Sequence, residues 1–307
     1  MTILRYCCTR IIFFCGISIS CVSALCGETP DSATYERGQS VYVSLDCYES
    51  KGDGALSRFV DNWDIPLSPS GFLYGATVGY VINNVAEGEM SFELTVLKGT
   101  PDDSSLSKSS DTVETVTRKN DIDMARLVFE YSPNAIKFLF FGAEIGKMNS
   151  DTNLRYAYTD ADSNYMTGTI SFGYISYNVL ATVALRDSDL YLFKGEVDSL
   201  AIVPCAKIGA GYAMRDSDKG YSYDYYYPSD DYSYSGYINF SDIDDKMADD
   251  MPDDAPIYTC DASLDLVYIS GGYSASALAG FRLDGDIDER SNQSYGMYGK
   301  IEFRYTW

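Results

Sequence analysis

The stretch YGMYGKIEFRYTW, from Tyr295 to Trp307, decides the fold. Tyr295, Met297, Gly299, Ile301, Phe303, Tyr305 and Trp307 share one parity, while Tyr298, Lys300, Glu302, Arg304 and Thr306 share the other. Successive side chains of a strand point to opposite faces. One face of this segment is therefore apolar and aromatic, and the other mostly charged. Such a strand is ill suited to the edge of a water-soluble sheet. It suits a wall that separates lipid from a polar interior.

The same alternation recurs upstream. Phe92, Leu94 and Val96 alternate with Glu93 and Thr95, and Leu127, Phe129 and Tyr131 with Arg126 and Glu130. Ile208, Ala210 and Tyr212 alternate with Lys207, Gly209 and Gly211, and Tyr273 to Leu283 repeats the rule. One place breaks phase. Phe138 and Phe140 share a face, but Phe141, Ala143 and Ile145 continue on the other, so a β-bulge is expected near Phe140. The pattern predicts twelve strands, within a range of ten to fourteen. They are 39–48, 70–82, 89–100, 124–131, 136–148, 168–177, 179–186, 190–196, 200–214, 257–269, 273–284 and 295–307. The fold class is all-β, a closed antiparallel up-and-down transmembrane barrel. Connections after even strands are short and those after odd strands mostly long, as expected of periplasmic turns and external loops. Asp187 to Asp189 is the exception, and Arg215 to Pro256 is the longest external loop.

The ending Ile301-Glu302-Phe303-Arg304-Tyr305-Thr306-Trp307 resembles the terminal strand of bacterial outer-membrane β-barrels, the porin-like class. In that class a terminal aromatic after alternating apolar residues is read by the barrel-assembly machinery. The resemblance implies export, insertion into the outer membrane beside lipopolysaccharide, and an assembly signal at Ile301, Phe303, Tyr305 and Trp307. It covers nearly all of the mature chain and singles out no family within the class.

The N-terminus agrees. Arg5 and Arg10 precede an apolar stretch from Ile11 to Leu25, with the small residues Ala24 and Gly27 at its exit. This reads as a cleaved secretory signal peptide over 1–26. Its apolar part is shorter than the ~20 residues of a spanning helix, and Ser18, Ser20 and Ser23 interrupt it. Residues 27–38 are expected as a short periplasmic tail and 39–307 as the barrel, with 215–256 its largest external loop. Five of the eight cysteines fall in the leader. Cys47, Cys205 and Cys260 are too widely spaced to indicate a zinc site or a disulfide framework.

Composition bounds the chemistry. Forty-five acidic and 23 basic residues give a net charge of -22, which repels nucleic acid. No histidine is present in the 307 residues. Outer-membrane phospholipases, omptin-like proteases and lipid-A acyltransferases are also barrels, but each relies on a catalytic histidine. An enzyme is therefore not expected, and no cofactor. The inward-facing polar residues are the candidate pore lining: Glu93, Arg126, Glu130, Lys137, Glu144, Arg186, Lys194, Lys207, Arg282, Lys300, Glu302 and Arg304. Basic groups predominate among them, whereas Asp and Tyr crowd the external loops. The expected function is a narrow passive channel for small hydrophilic solutes. The alternative is a non-conducting structural or adhesive surface barrel that acts through its acidic, Tyr-rich loops. Asp160, Asp162 and Asn164, and likewise Asp284, Asp286 and Asp288, place oxygen ligands at alternate positions. They are weak candidates for loop-bound calcium, because neither run has the full spacing of an EF-hand loop. The oligomeric state, monomer or trimer, is left open.

Overall fold

The computed structural model describes residues 38–51, 70–108, 113–159, 165–186, 190–216, 221–227, 232–238, 254–287 and 293–307. The expected signal peptide, nearly all of the expected tail, and Asp160, Asp162, Asn164 and Asp288 lie outside them. Fourteen strands are described. They are β1 (Gln39–Lys51), β2 (Ser70–Val85), β3 (Gly88–Gly99), β4 (Asp102–Lys108), β5 (Val113–Pro133), β6 (Leu139–Thr159) and β7 (Tyr165–Arg186). The chain continues with β8 (Leu190–Lys194), β9 (Asp198–Asp216), β10 (Tyr221–Tyr227), β11 (Tyr232–Ile238), β12 (Ala255–Ser270), β13 (Tyr273–Asp286) and β14 (Gln293–Thr306).

Ten of these close an antiparallel barrel in the order β1-β2-β3-β5-β6-β7-β9-β12-β13-β14. The ladder can be followed around the wall: Gln39 pairs with Ile82, then Met90, Tyr131, Phe141, Val183, Ile208, Cys260, Leu283 and Tyr295. Tyr295 pairs with Lys51, so the circuit returns to β1 twelve residues beyond its start at Gln39. That offset tilts the strands. With strands about 4.8 Å apart and a rise of about 3.3 Å per residue, it corresponds to a tilt of roughly 40° and a backbone diameter of about 20 Å. The interior is thus only slightly wider than one that side chains fill.

The wall has ten strands, two fewer than the twelve expected and at the lower end of the expected range. The two strands expected at 168–177 and 179–186 are one strand, β7. Asn178 does not turn the chain; it pairs with Gly146 on one side and Ala213 on the other. An inward polar residue in mid-strand had the composition of a turn. The strand expected at 190–196 is β8, which pairs with the same edge of β9 that β7 occupies further along. It continues the track of β7 and adds no place to the wall. Two expected strands vanish together, so even parity is kept. The bulge expected near Phe140 is also absent: β6 pairs with β7 without a register shift. Phe138 lies exposed just after the short turn Asn134–Ile136, and Phe140 faces inward.

The start of β1 and the end of β14 meet at one end of the barrel, the terminal end, where Gln39 and Trp307 exchange backbone hydrogen bonds of 3.1 and 3.0 Å. The short turns share this terminal end. Ala86 and Glu87 carry the β2–β3 turn with positive φ of 49° and 59°, the geometry of the two-residue hairpins that match strand twist. At the far end β5, β6 and β7 run well past the wall. There β4 extends the track of β3 along β5, and the β10–β11 hairpin extends that of β9 along β7. The expected long loop thus holds a hairpin.

The outer surface is apolar around the wall. Leu45, Val78, Leu94, Leu127, Ile145, Val183, Ile208 and Leu264 are all exposed, Leu45 to 69% and Ile208 to 63%. Aromatic residues gather toward the ends of this band. Tyr305 stacks on Trp307 at 5.8 Å and lies 5.0 Å from Tyr273 at the terminal end. Phe72 with Tyr74, and Phe281 with Tyr295, lie nearer the far end. An apolar belt between aromatic girdles is the surface pattern that a lipid-facing wall requires. No described helix is long and apolar enough to cross a membrane.

Candidate functional site

The lumen is a cavity of about 1030 Å³. Its lining reaches from Ser40, Ser274 and Thr306 at the terminal end to Asn120, Ser150 and Asp286 at the far end. Two paired positions show how the wall makes room in so narrow a space. Tyr42 lies opposite Gly79, and Tyr298 opposite Gly280. A Cβ on Gly79 would come within 1.9 Å of the Tyr42 ring, and one on Gly280 within 2.4 Å of Tyr298. The glycines therefore let both rings lie against the wall. Laid flat, Tyr42 donates its hydroxyl proton to Glu93 at 3.0 Å and carries Lys300 and Arg304 over its ring at 5.1 and 4.9 Å. Tyr298 donates to Asp261 at 2.8 Å.

Charges converge across the lumen in three groups. Lys300 of β14 reaches Glu93 of β3 at 3.0 Å, with Arg126 a looser 3.9 Å from the same carboxylate. Glu302 joins through Lys300 and Arg304 at 3.4 and 2.9 Å. Glu130 of β5 accepts from Lys207 of β9 at 2.8 Å and from Arg186 of β7 at 3.1 Å, and Arg186 covers the Phe140 ring at 4.4 Å. Arg282 of β13 donates to Glu144 of β6 at 2.7 and 3.3 Å while also holding Asp284 at 2.9 Å. A charge taken from water into such a space is costly unless a partner and hydrogen bonds satisfy it. The links from Lys300 to Glu93, from Lys207 and Arg186 to Glu130, and from Arg282 to Glu144 join strands that are not neighbours, so they brace the barrel from within.

Ten of the twelve residues expected to line the pore stand inward in these groups. Lys194 does not: it is exposed on β8, 4.5 Å from the Tyr191 ring, because β8 lies along the rim. Lys137 is exposed in the turn that follows β5, at the terminal mouth of the cavity. The lumen also holds carboxylates that the expected set lacks. Asp46 accepts from Thr77 at 2.7 Å, Asp261 accepts from Tyr298, and Asp265 completes the inward face of β12. Their parity with Tyr42 and Ser44, and with Ser263, was a signal that could have found them. With them the lining carries ten acidic and nine basic side chains, so the wall is balanced rather than basic.

Of the expected calcium ligands, Asp284 is held by Arg282, and Asp286 receives both arms of the Arg215 guanidinium, one at 2.8 Å. Arginines occupy the oxygens a cation would need. Among the described residues no group of three or more Cys, Asp or Glu side chains is placed to hold a metal.

No family model and no curated protein matches the chain. Solved structures that it resembles are bacterial outer-membrane β-barrels. The translocator domain of the autotransporter NalP from Neisseria meningitidis is 9% identical, with 99% of this chain and 98% of that one covered and a TM-score of 0.36. The toluene transporter TbuX of Ralstonia pickettii is 10% identical over 88% and 90%, with a TM-score of 0.34. The monoaromatic hydrocarbon channel CymD is 8% identical over 89% of each chain, with a TM-score of 0.35. At such identities and scores these structures define neither a family nor a function for this chain.

Proposed function

We propose that the protein is an outer-membrane barrel, with its terminal end in the periplasm, whose lumen passes small hydrophilic solutes passively. The observation that carries this reading is the cavity with polar residues at both of its ends. The outward apolar belt supports the membrane placement, since an exposed belt of that extent is otherwise unsatisfied in water. The near balance of acids and bases in the lumen, below external loops rich in aspartate, favours cations slightly over anions.

A second reading has its own support. The links from Lys300 to Glu93 and from Arg282 to Glu144 join well-separated strands across the interior, as in a braced barrel that conducts nothing. Single-channel recording of the refolded mature chain in a planar bilayer under a salt gradient separates the two. Discrete steps with a cation-directed reversal potential are expected. Silence from protein with the gel mobility of a folded barrel would favour the braced, non-conducting form.

A further inference from the structure

Ion-paired groups are not the whole of the lumen's lining. Leu73, Leu97 and Ile122 of β2, β3 and β5 form a cluster that is 1%, 7% and 8% exposed, with Tyr48, Met124 and Met148 against it. Leu180, Ala213 and Ile257 of β7, β9 and β12 form a second. All of these but Ala213 line the cavity. Together the two clusters cover an arc of eight of the ten wall strands.

Their height follows from the chain. In β3, which runs away from the terminal end, Glu93 comes first and Leu97 after it. In β6, of the same direction, Glu144 precedes Met148. In β5, which runs back, Met124 precedes Arg126. The apolar residue is the one nearer the far end each time, so the two clusters form a collar beyond the ion pairs. The Arg215–Asp286 pair lies at the outer edge of the collar, where Asp286 pairs with Ile257 in the ladder. Leucines that lined an open water column would be wetted; these are almost closed to water.

We propose that this apolar collar, and not the ion-paired groups below it, is the barrier of the lumen. It excludes strongly hydrated solutes because apolar walls at close quarters expel water from the passage. Water and ions are well accommodated among Glu93, Lys300 and Arg282, and lose that support at Leu97 and Ile122. The inference rests on the reading of the barrel as a channel and assigns its selectivity to named residues.

The test compares the conductance of the folded wild type with three variants in the same bilayer. Leu97→Ser/Ile122→Ser removes apolar collar surface, and Met124→Gln does so more mildly should the double variant fold poorly. Glu144→Gln relaxes the ion pair below. Gel mobility before and after heating reports folding. Collar variants are expected to conduct at least three-fold better than wild type, with Glu144→Gln within two-fold of it. Unchanged conductance in folded collar variants overturns the proposal, and a gain confined to Glu144→Gln moves the barrier to the ion pairs. The wild-type trace judges the channel reading separately: a silent wild type with conducting collar variants removes the open channel and keeps the collar.

Discussion

Leu45 gives the sharpest test of where this surface resides. It stands midway along β1, exposed to 69%, with its Cα opposite Ala76 and Ile301 on the neighbouring strands. The outward residues Val43, Val78 and Phe303 surround it. Val41 shares the same face four residues nearer the terminal end, opposite Tyr80 and Tyr305 in the aromatic girdle. On the lipid face of a barrel an arginine costs about 2–4 kcal/mol at the bilayer midplane and about 0–1 kcal/mol near the interface. An exposed position in water would change by no more than about 0.5 kcal/mol at either site. Leu45→Arg should therefore destabilise by about 3 kcal/mol, a roughly hundred-fold change in the folded-to-unfolded ratio, and Val41→Arg by less than about 1 kcal/mol. Urea unfolding in phospholipid vesicles, followed by the loss of the compact gel species, measures both. With a slope of about 2–3 kcal/mol per molar urea, the Leu45 midpoint should fall by roughly 1 M. Equal shifts at the two positions, or none at either, would refute the membrane-facing belt.

Three further outcomes follow from the interior and the seam. Glu130→Gln leaves Arg186 and Lys207 without the carboxylate they share, and loss of one partner of a buried pair costs about 3 kcal/mol or more. Asp123→Asn breaks only the exposed pair with Lys98 and should cost under about 1 kcal/mol; equal urea midpoints for the two variants would count against the bracing role. Gly79→Ala drives a methyl into the Tyr42 ring and should destabilise by about 1–3 kcal/mol, and Tyr42→Leu in the same chain should relieve part of that loss in a double-mutant cycle. Deleting Trp307 removes two backbone hydrogen bonds to Gln39 and the stack on Tyr305, about 2–4 kcal/mol at the closing seam; heat-modifiable folding at wild-type yield would show that the terminal residue is dispensable.

Face was legible in the sequence, and number was not. The parity of Lys300, Glu302 and Arg304 against Ile301, Phe303 and Tyr305 placed each on its observed side of the wall. Parity needs only neighbouring residues. Strand number depends on where the chain turns, and turn composition misled at Asn178, whose amide sits inside the ladder and accepts from Ser176 at 2.8 Å. The connection expected between residues 82 and 89 does hold the turn, at Ala86 and Glu87, although neither is a residue that favours positive φ. Partners were invisible for a different reason. Arg282 and Glu144 are 138 residues apart and meet only because β13 and β6 face one another across the closed wall.

The collar shows why a pattern can be present in strand after strand and still escape a linear reading. Inward residues are ordered by height, with the three ion-paired groups below, the apolar collar above them and the Arg215–Asp286 pair at its outer edge. Antiparallel strands traverse that order in alternating directions. The chain therefore reads Glu93 then Leu97, next Ile122 and Met124 then Arg126, next Glu144 then Met148, next Leu180 then Arg186. Along the sequence the two kinds of residue simply swap places, strand after strand, and average to a mixed polar face. Once the register assigns each residue a height, the alternation resolves into layers, and the layers divide the work. Ion pairs tie distant strands together where burial is tolerable because partners are at hand, and the apolar arc above them interrupts the water column that those charges would otherwise sustain.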